Sequence, residues 1–177
     1  MVVAWLALSP ALAVQVSLAL AQSLPSAVVA VVDGPWREVG AGQLRFFGFH
    51  VYDARLWAQG ERFDAARAFA LGIRYSRRLS RDEIAGRSTG EIKKLVTVSE
   101  ATLADWERRM RAIFPDVVPG DELAALHLPE RGARFFLNGV ALGEIDDPRF
   151  AQAFFAIWLD ERTSAPALRA ALLGERR

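Results

Sequence analysis

The chain contains no cysteine, which removes at once a disulfide framework, a thiolate nucleophile and any cysteine-ligated metal site. The compartment stays open on this count, because an exported domain with a sufficient core does without disulfides. Histidine is scarce: His50 and His127 lack the spacing of a His-x-x-x-His ligand pair, so no metal is expected. Excess charge is also missing. The 22 basic and 21 acidic side chains leave +1, which gives no electrostatic reason to expect nucleic acid or an anionic membrane surface as partner. There is no internal repeat, linker or low-complexity tract. What remains is 177 residues, 52% hydrophobic and 24% charged, enough for one domain with a sizeable core.

Charged side chains are absent from Met1 to Val32; Asp33 is the first. Met1 to Ala21 is apolar, and Ala19-Leu20-Ala21 before Gln22 has the small-x-small form of a secretory cleavage site. The start carries no Lys or Arg, a departure from the usual leader. Pro10 interrupts the apolar run, which argues against a spanning helix. Residues 1–21 are therefore expected to be a cleaved signal peptide and 22–177 a single domain, periplasmic or secreted.

The richest stretch is Gly40 to Trp57, GAGQLRFFGFHVYDARLW. On a period of two, Leu44, Phe46, Gly48, His50, Tyr52, Ala54 and Leu56 share one face; Arg45, Phe47, Phe49, Val51, Asp53, Arg55 and Trp57 share the other. Both faces carry large apolar groups, as in a strand that lines a ligand cavity or a central strand whose end charges reach solvent. Trp36–Val39 and Leu44–Trp57 are expected to pair as strands around a break at Gly40-Ala41-Gly42. Ala27–Val32 reads as a short strand or the tail of the leader, and Ala68–Tyr75 as a strand with small residues on one face.

Ser80-Arg81-Asp82-Glu83 is a capping box opening a helix toward Leu95. Ser99 caps a second helix with Leu103, Trp106, Met110 and Ile113 on one stripe, and Pro115 ends it. Asp121–Leu128 returns to an extended pattern. Arg134–Asn138 and Val140–Ile145 form a hairpin around Asn138-Gly139. Asp146 or Asp147 with Pro148 opens a helix to about Leu159, and Thr163 or Ser164 with Pro166 a last short one ending at Gly174. Hairpins rather than βαβ crossovers indicate an α+β fold, an antiparallel sheet with helices on one face.

Gly86-Arg87-Ser88-Thr89-Gly90 matches the G-x-S-x-G nucleophile pattern, but the capping box puts it inside a helix, where that chemistry has no strained turn. Gly40-x-Gly42 lacks the third glycine and the following helix of a dinucleotide loop, so no such cofactor is expected. Asp146 and Asp147 suit a helix N-terminus better than a metal. Arg45, Arg55 and Arg74 lie within strand patterns and cannot discharge, so each needs a partner: an acid on a neighbouring strand, solvent, or the head group of an anionic ligand. Tyr52 and Tyr75 stand beside them.

Four segments, GAGQLRFFGFHVYDARLWA at 40–58, FALGIRYSRRLSRDEI at 69–84, IFPDVVPGD at 113–121 and RFFLNGVALGEIDDPRFAQAFFAIWL at 134–159, resemble the chalcone isomerase-like family, in particular its exported bacterial branch. The resemblance implies an open-faced β-sandwich, a large antiparallel sheet with a helical layer and an apolar cleft between them. It also implies, for enzymes of the family, an arginine that positions a phenolate and a tyrosine with Thr or Ser that polarise a ketone. Aligned without gaps, Phe47 falls at the strand threonine, Leu79 at the tyrosine and Ala151 at the helix Thr or Ser. The arginine falls near Pro35, with Arg37 a small shift away; Tyr75 or Ser80 are the stand-ins for the tyrosine. The resemblance thus points to a member without the isomerase chemistry, holding a small apolar or fatty-acid-like ligand against Arg37 or Arg45, with Phe47, Tyr75, Leu79 and Ala151 around it. The alternative is an isomerase with an altered catalytic set built on Tyr75 or His50.

Overall fold

A computed structural model describes residues 24–175. The expected leader, residues 1–21 with its cleavage point before Gln22, lies outside the described residues. Six strands form one sheet in chain order, every neighbour antiparallel: β1 (Trp36–Phe46), β2 (Phe49–Gln59), β3 (Phe69–Tyr75), β4 (Glu122–Leu128), β5 (Gly132–Leu137) and β6 (Val140–Ile145). Four helices, α2 (Arg81–Leu95), α3 (Glu100–Ile113), α4 (Pro148–Leu159) and α5 (Pro166–Leu172), cover one face. The main core fills the space between, built from Leu56, Leu71, Trp106, Phe114, Phe135, Phe150 and their neighbours.

The helix starts follow the capping chemistry. Ser80 and Glu83 exchange the two bonds of a capping box, and Ser99 accepts from the Thr102 amide. At α4 the cap is Asp147, not Asp146; its carboxylate takes the Arg149 and Phe150 amides and also the Trp106 indole N–H at 3.0 Å. Neither Thr163 nor Ser164 caps α5, which starts after Ala165 without a side-chain cap; the Thr163 hydroxyl instead donates to the Ile157 carbonyl at 2.6 Å. The residues from Ala27 to Val32 are not a strand: α1 (Ser26–Val29) is a single helical turn on the opposite face of the sheet, where Val28 is fully buried beside Trp57, Ala70 and Phe136.

The largest correction concerns the first hairpin. Gly40-Ala41-Gly42 is not a break but the middle of β1, and the expected strand Leu44–Trp57 is cut at Phe47-Gly48, the two-residue turn that joins β1 to β2. Gly40 is glycine because α5 crosses it: a Cβ there would lie 2.2 Å from the Ala171 carbonyl oxygen and 2.7 Å from that of Leu172. The pairing also slips between Leu44–Tyr52 and Arg45–His50, leaving Val51 as an extra residue. Beyond this bulge the side chains change faces. Tyr52, Ala54 and Leu56 join the helix side, whereas His50 bonds Asp53, which shares the outer face with Arg55 and Trp57.

Candidate functional site

Where β1–β4 end, the sheet and helices α2 and α4 part to leave a cavity of about 580 Å³, within the range of small-molecule sites. Its depth is apolar: Ile73, Leu79, Ile84, Phe114, Leu123 and Phe154 are buried there, with Tyr52, Tyr75 and Trp158. Its mouth is charged. Arg45, Arg77, Arg78, Arg87 and Lys94, all exposed, face two carboxylates, Glu83 and Glu91. From α2 the cavity takes Glu83, Ile84, Arg87, Ser88, Gly90, Glu91 and Lys94, which share one face at the three- and four-residue spacing that puts side chains over one another on a helix.

Polar groups inside the cavity are held by the protein. The Trp158 indole N–H donates to the Tyr52 hydroxyl at 2.9 Å, which leaves the phenolic proton of Tyr52 to donate onward. Tyr52 and Tyr75 are cross-strand partners whose rings meet edge-on, centroids 6.2 Å apart. Burial pushes the Tyr52 phenol up to about 12, against the Trp158 bond and with some help from Glu91. Burial, with Tyr52 nearby, pushes Tyr75 up as well. Both are therefore neutral donors at physiological pH. Ser88 returns its hydroxyl to the Ile84 carbonyl at 2.9 Å within α2, so the G-x-S-x-G segment is helix throughout and presents no nucleophile. At the rim, Glu91 accepts from Lys94 at 2.7 Å and from Ser164 at 2.6 Å, a bridge from α2 to the loop before α5.

Of the six residues singled out in the sequence, Arg45, Tyr75 and Leu79 come together on the cavity wall. Arg45 also donates to the Gly48 carbonyl at 3.2 Å and to Gln43. The other three lie elsewhere. Phe47 sits at the turn, 86% exposed, because the strand ends one residue before it. Arg37 pairs with Ala58 at the far end of β1, roughly 24 Å along the strand from Leu44, and its Nε donates to the Gly60 carbonyl at 2.6 Å. Ala151 is fully buried in the core, one turn of α4 before the wall begins at Phe154. Arg77, Arg78, Arg87 and Trp158 also line the cavity, although no motif in the sequence marked them as site residues. The Arg77-Arg78 pair between the end of β3 and the Ser80 cap was the available signal, since that junction lies at the sheet's end.

His50 stands on the other face. Its Nε2 meets Asp53 Oδ1 at 3.2 Å and its Nδ1 meets Ser76 Oγ at 3.0 Å, and neither His50 nor Ser76 lines the cavity. Arg55 pairs with Glu38 at 2.5 Å and Arg74 with Glu122 at 3.5 Å, so these two strand arginines are paired with acids on adjacent strands. Glu144, near the acidic helix start, pairs with Arg134 at 2.7 Å. Among the described residues, no cluster of three or more His, Asp or Glu is placed to hold a metal ion.

An antiparallel open sheet, one helical layer and an amphiphilic cavity between them define an open-faced β-sandwich. The model of the family described as "Chalcone isomerase-like" matches residues 39–174, and the chain belongs to that family. It is 31% identical over 141 residues to an uncharacterized protein of Haemophilus influenzae, covering 79% of this chain and 69% of that protein. Among solved structures, a fatty-acid binding protein of Arabidopsis thaliana shares the fold with a TM-score of 0.60 at 11% identity, over 78% of this chain and 86% of its own.

Proposed function

We propose that this protein is a non-catalytic carrier of a small amphiphile with an anionic head, such as a fatty acid. The tail lies among Leu79, Phe114, Phe154 and Ile73, and the head meets the cationic rim. The observation that carries this reading is the division of one cavity into an apolar depth and a mouth with five cationic side chains against two acidic ones. An ionised head left at the rim keeps much of its hydration, while the tail gains from leaving water. The fatty-acid binding neighbour supports the same ligand class.

A non-catalytic role is supported by the state of the polar groups. His50 faces away from the cavity, and Leu79, which has no proton to give, stands where the resemblance expects a tyrosine. Every arginine of the wall is at its exposed mouth, so none stands in the apolar depth to position a phenolate there. Export to the periplasm or beyond, with cleavage after Ala21, belongs to the same proposal.

The test is native mass spectrometry of protein taken from an exported fraction, followed by denaturing extraction. A bound fatty acid and a mass starting at Gln22 are the expected results. An empty protein that takes up no added fatty acid, or that cyclises a chalcone above the spontaneous rate, overturns the reading. Arg45→Ala, at the exposed rim, is expected to weaken carboxylate binding by about 0.2–1 kcal/mol; unchanged affinity in a folded variant removes Arg45 from the site.

A further inference from the structure

The turn between β1 and β2 places an aromatic residue where the backbone disfavours one. Phe47 and Gly48 have φ of +48° and +80°, both positive, as a two-residue hairpin turn with the matching twist requires. The same chain makes the same turn between β5 and β6, at +49° and +81°, with Asn138-Gly139, the pair that suits those angles. Folding alone therefore does not call for phenylalanine at position 47. It is also far out in solvent: Phe47 is 86% exposed, Phe46 54% and Phe49 71%, and apart from its two chain neighbours no residue comes within 4 Å of where a Cβ on Gly48 would sit. A cluster of exposed rings of this kind marks a contact surface.

The tip is continuous with the cavity, since Phe46 belongs to its wall, and it is bordered by the cationic mouth. The net charge of +1 conceals this concentration. We propose that the Phe46–Phe49 tip seats the protein on an anionic lipid surface, with its rings at the boundary between head groups and acyl chains. Arg77, Arg78 and Arg87 then meet lipid phosphates, and the cavity mouth opens toward the membrane that supplies or receives the amphiphile. Rings at a hairpin end suit the amphipathic boundary layer, and cationic residues beside them add attraction to an anionic leaflet. This inference rests on the reading of the cavity as an amphiphile site.

The missing cysteines make a position-resolved test direct. A nitroxide is attached through Phe47→Cys, and in a second protein through Val140→Cys, an exposed site on the β5–β6 side. Each is mixed with vesicles of equal parts phosphatidylglycerol and phosphatidylcholine. The expected result is a gain in oxygen accessibility and a loss of nickel-chelate accessibility at position 47 alone. The paired change Phe47→Asp and Phe49→Asp is expected to lower vesicle binding by roughly tenfold or more, leaving binding of palmitate in vesicle-free buffer unchanged. Equal insertion of both labels, or a label at 47 that reads as in buffer, overturns the proposal. So does a label at 47 shielded by a protein in cell extract but untouched by vesicles. Palmitate binding without vesicles is scored separately: its absence with position 47 inserted overturns the amphiphile reading and leaves the lipid contact standing, and the reverse pattern overturns only the contact.

Discussion

Gly40→Ala is expected to be among the most damaging single methyl groups that can be added to this protein. The new Cβ would lie 2.2 Å from the Ala171 carbonyl oxygen, 2.7 Å from that of Leu172 and 3.0 Å from the Leu172 carbonyl carbon. All three are backbone atoms of α5 and its last turn, so no side chain can rotate away. Relief requires α5 to lift off β1 by about 1 Å, a gap that forfeits a quarter to a half of each dispersion contact across it. The helix is held there by Leu168 and Leu172, 4% and 0% exposed, each contributing about 1.5–3 kcal/mol by burial. Overpacking against an unyielding neighbour costs about 1–3 kcal/mol by itself, so the combined loss is about 3 kcal/mol. At about 2–4 °C per kcal/mol for a chain of this length, Tm falls by roughly 6–12 °C. Gly86→Ala is the control: it sits inside α2 with no atom within 4 Å of the new Cβ, and it should gain about 0.5–1 kcal/mol. Urea and thermal unfolding of both variants measure this. Gly40→Ala within 1 kcal/mol of the parent refutes the close approach of α5.

Other expected outcomes follow from the caps, turns and buried phenols. Asp147 has its carboxyl held low: burial alone would raise it, but the Trp106 indole and the amides of Phe150 and Arg149 outweigh burial. Its contribution is therefore complete above the unfolded value of about 3.9 and is lost as pH falls through the lower folded value; Asp147→Asn should flatten the acid limb of a stability–pH curve. Asp147→Ala, which removes the cap and leaves the Trp106 N–H without its acceptor, should cost about 2–4 kcal/mol by urea unfolding. Phe47→Asn, placing at the first hairpin the residue used at the second, should gain about 1 kcal/mol and raise Tm; a loss of stability contradicts the strain assigned to that turn. The chain has two tyrosines, and both are raised by burial, Tyr52 to about 12. Tyrosinate absorbance should stay absent through pH 10–11 while the fold persists, and stability should decline above pH 10, where the unfolded phenols ionise first. A titration centred near 10 in folded protein contradicts the closed cavity floor.

What the sequence made legible follows from how local each signal is. The Ser80 capping box, the Ser99 cap, Asn138-Gly139 and the period-two runs of β3 to β6 act within a few residues, and the elements they mark form as expected. Phe47-Gly48 was missed because alternation runs unbroken through it and its chemistry is not that of a turn. Gly40-Ala41-Gly42 was misread because its cause, the backbone of α5, lies some 130 residues away in the chain. One extra residue at Val51 moved His50 from the face expected for it to the face of Asp53. The candidate site divides in the same way: Arg45, Tyr75 and Leu79 reach the cavity, while Phe47 falls in the hairpin turn, Arg37 lies at the far end of β1 and Ala151 is one turn short of the wall on α4. The rim arginines Arg77, Arg78 and Arg87 resembled ordinary surface charge until the fold set them around one opening.

The central claim is that the cavity takes a tail inward and leaves an anionic head at the rim. The most direct test is a calorimetric titration of palmitate into the parent protein and into Leu79→Trp, which fills the cavity from a wall position while leaving the rim intact. The account predicts one palmitate per parent chain and at least a tenfold loss of affinity in Leu79→Trp, equivalent to about 1.4 kcal/mol. Equal binding by both folded proteins, or no binding by the parent, contradicts it.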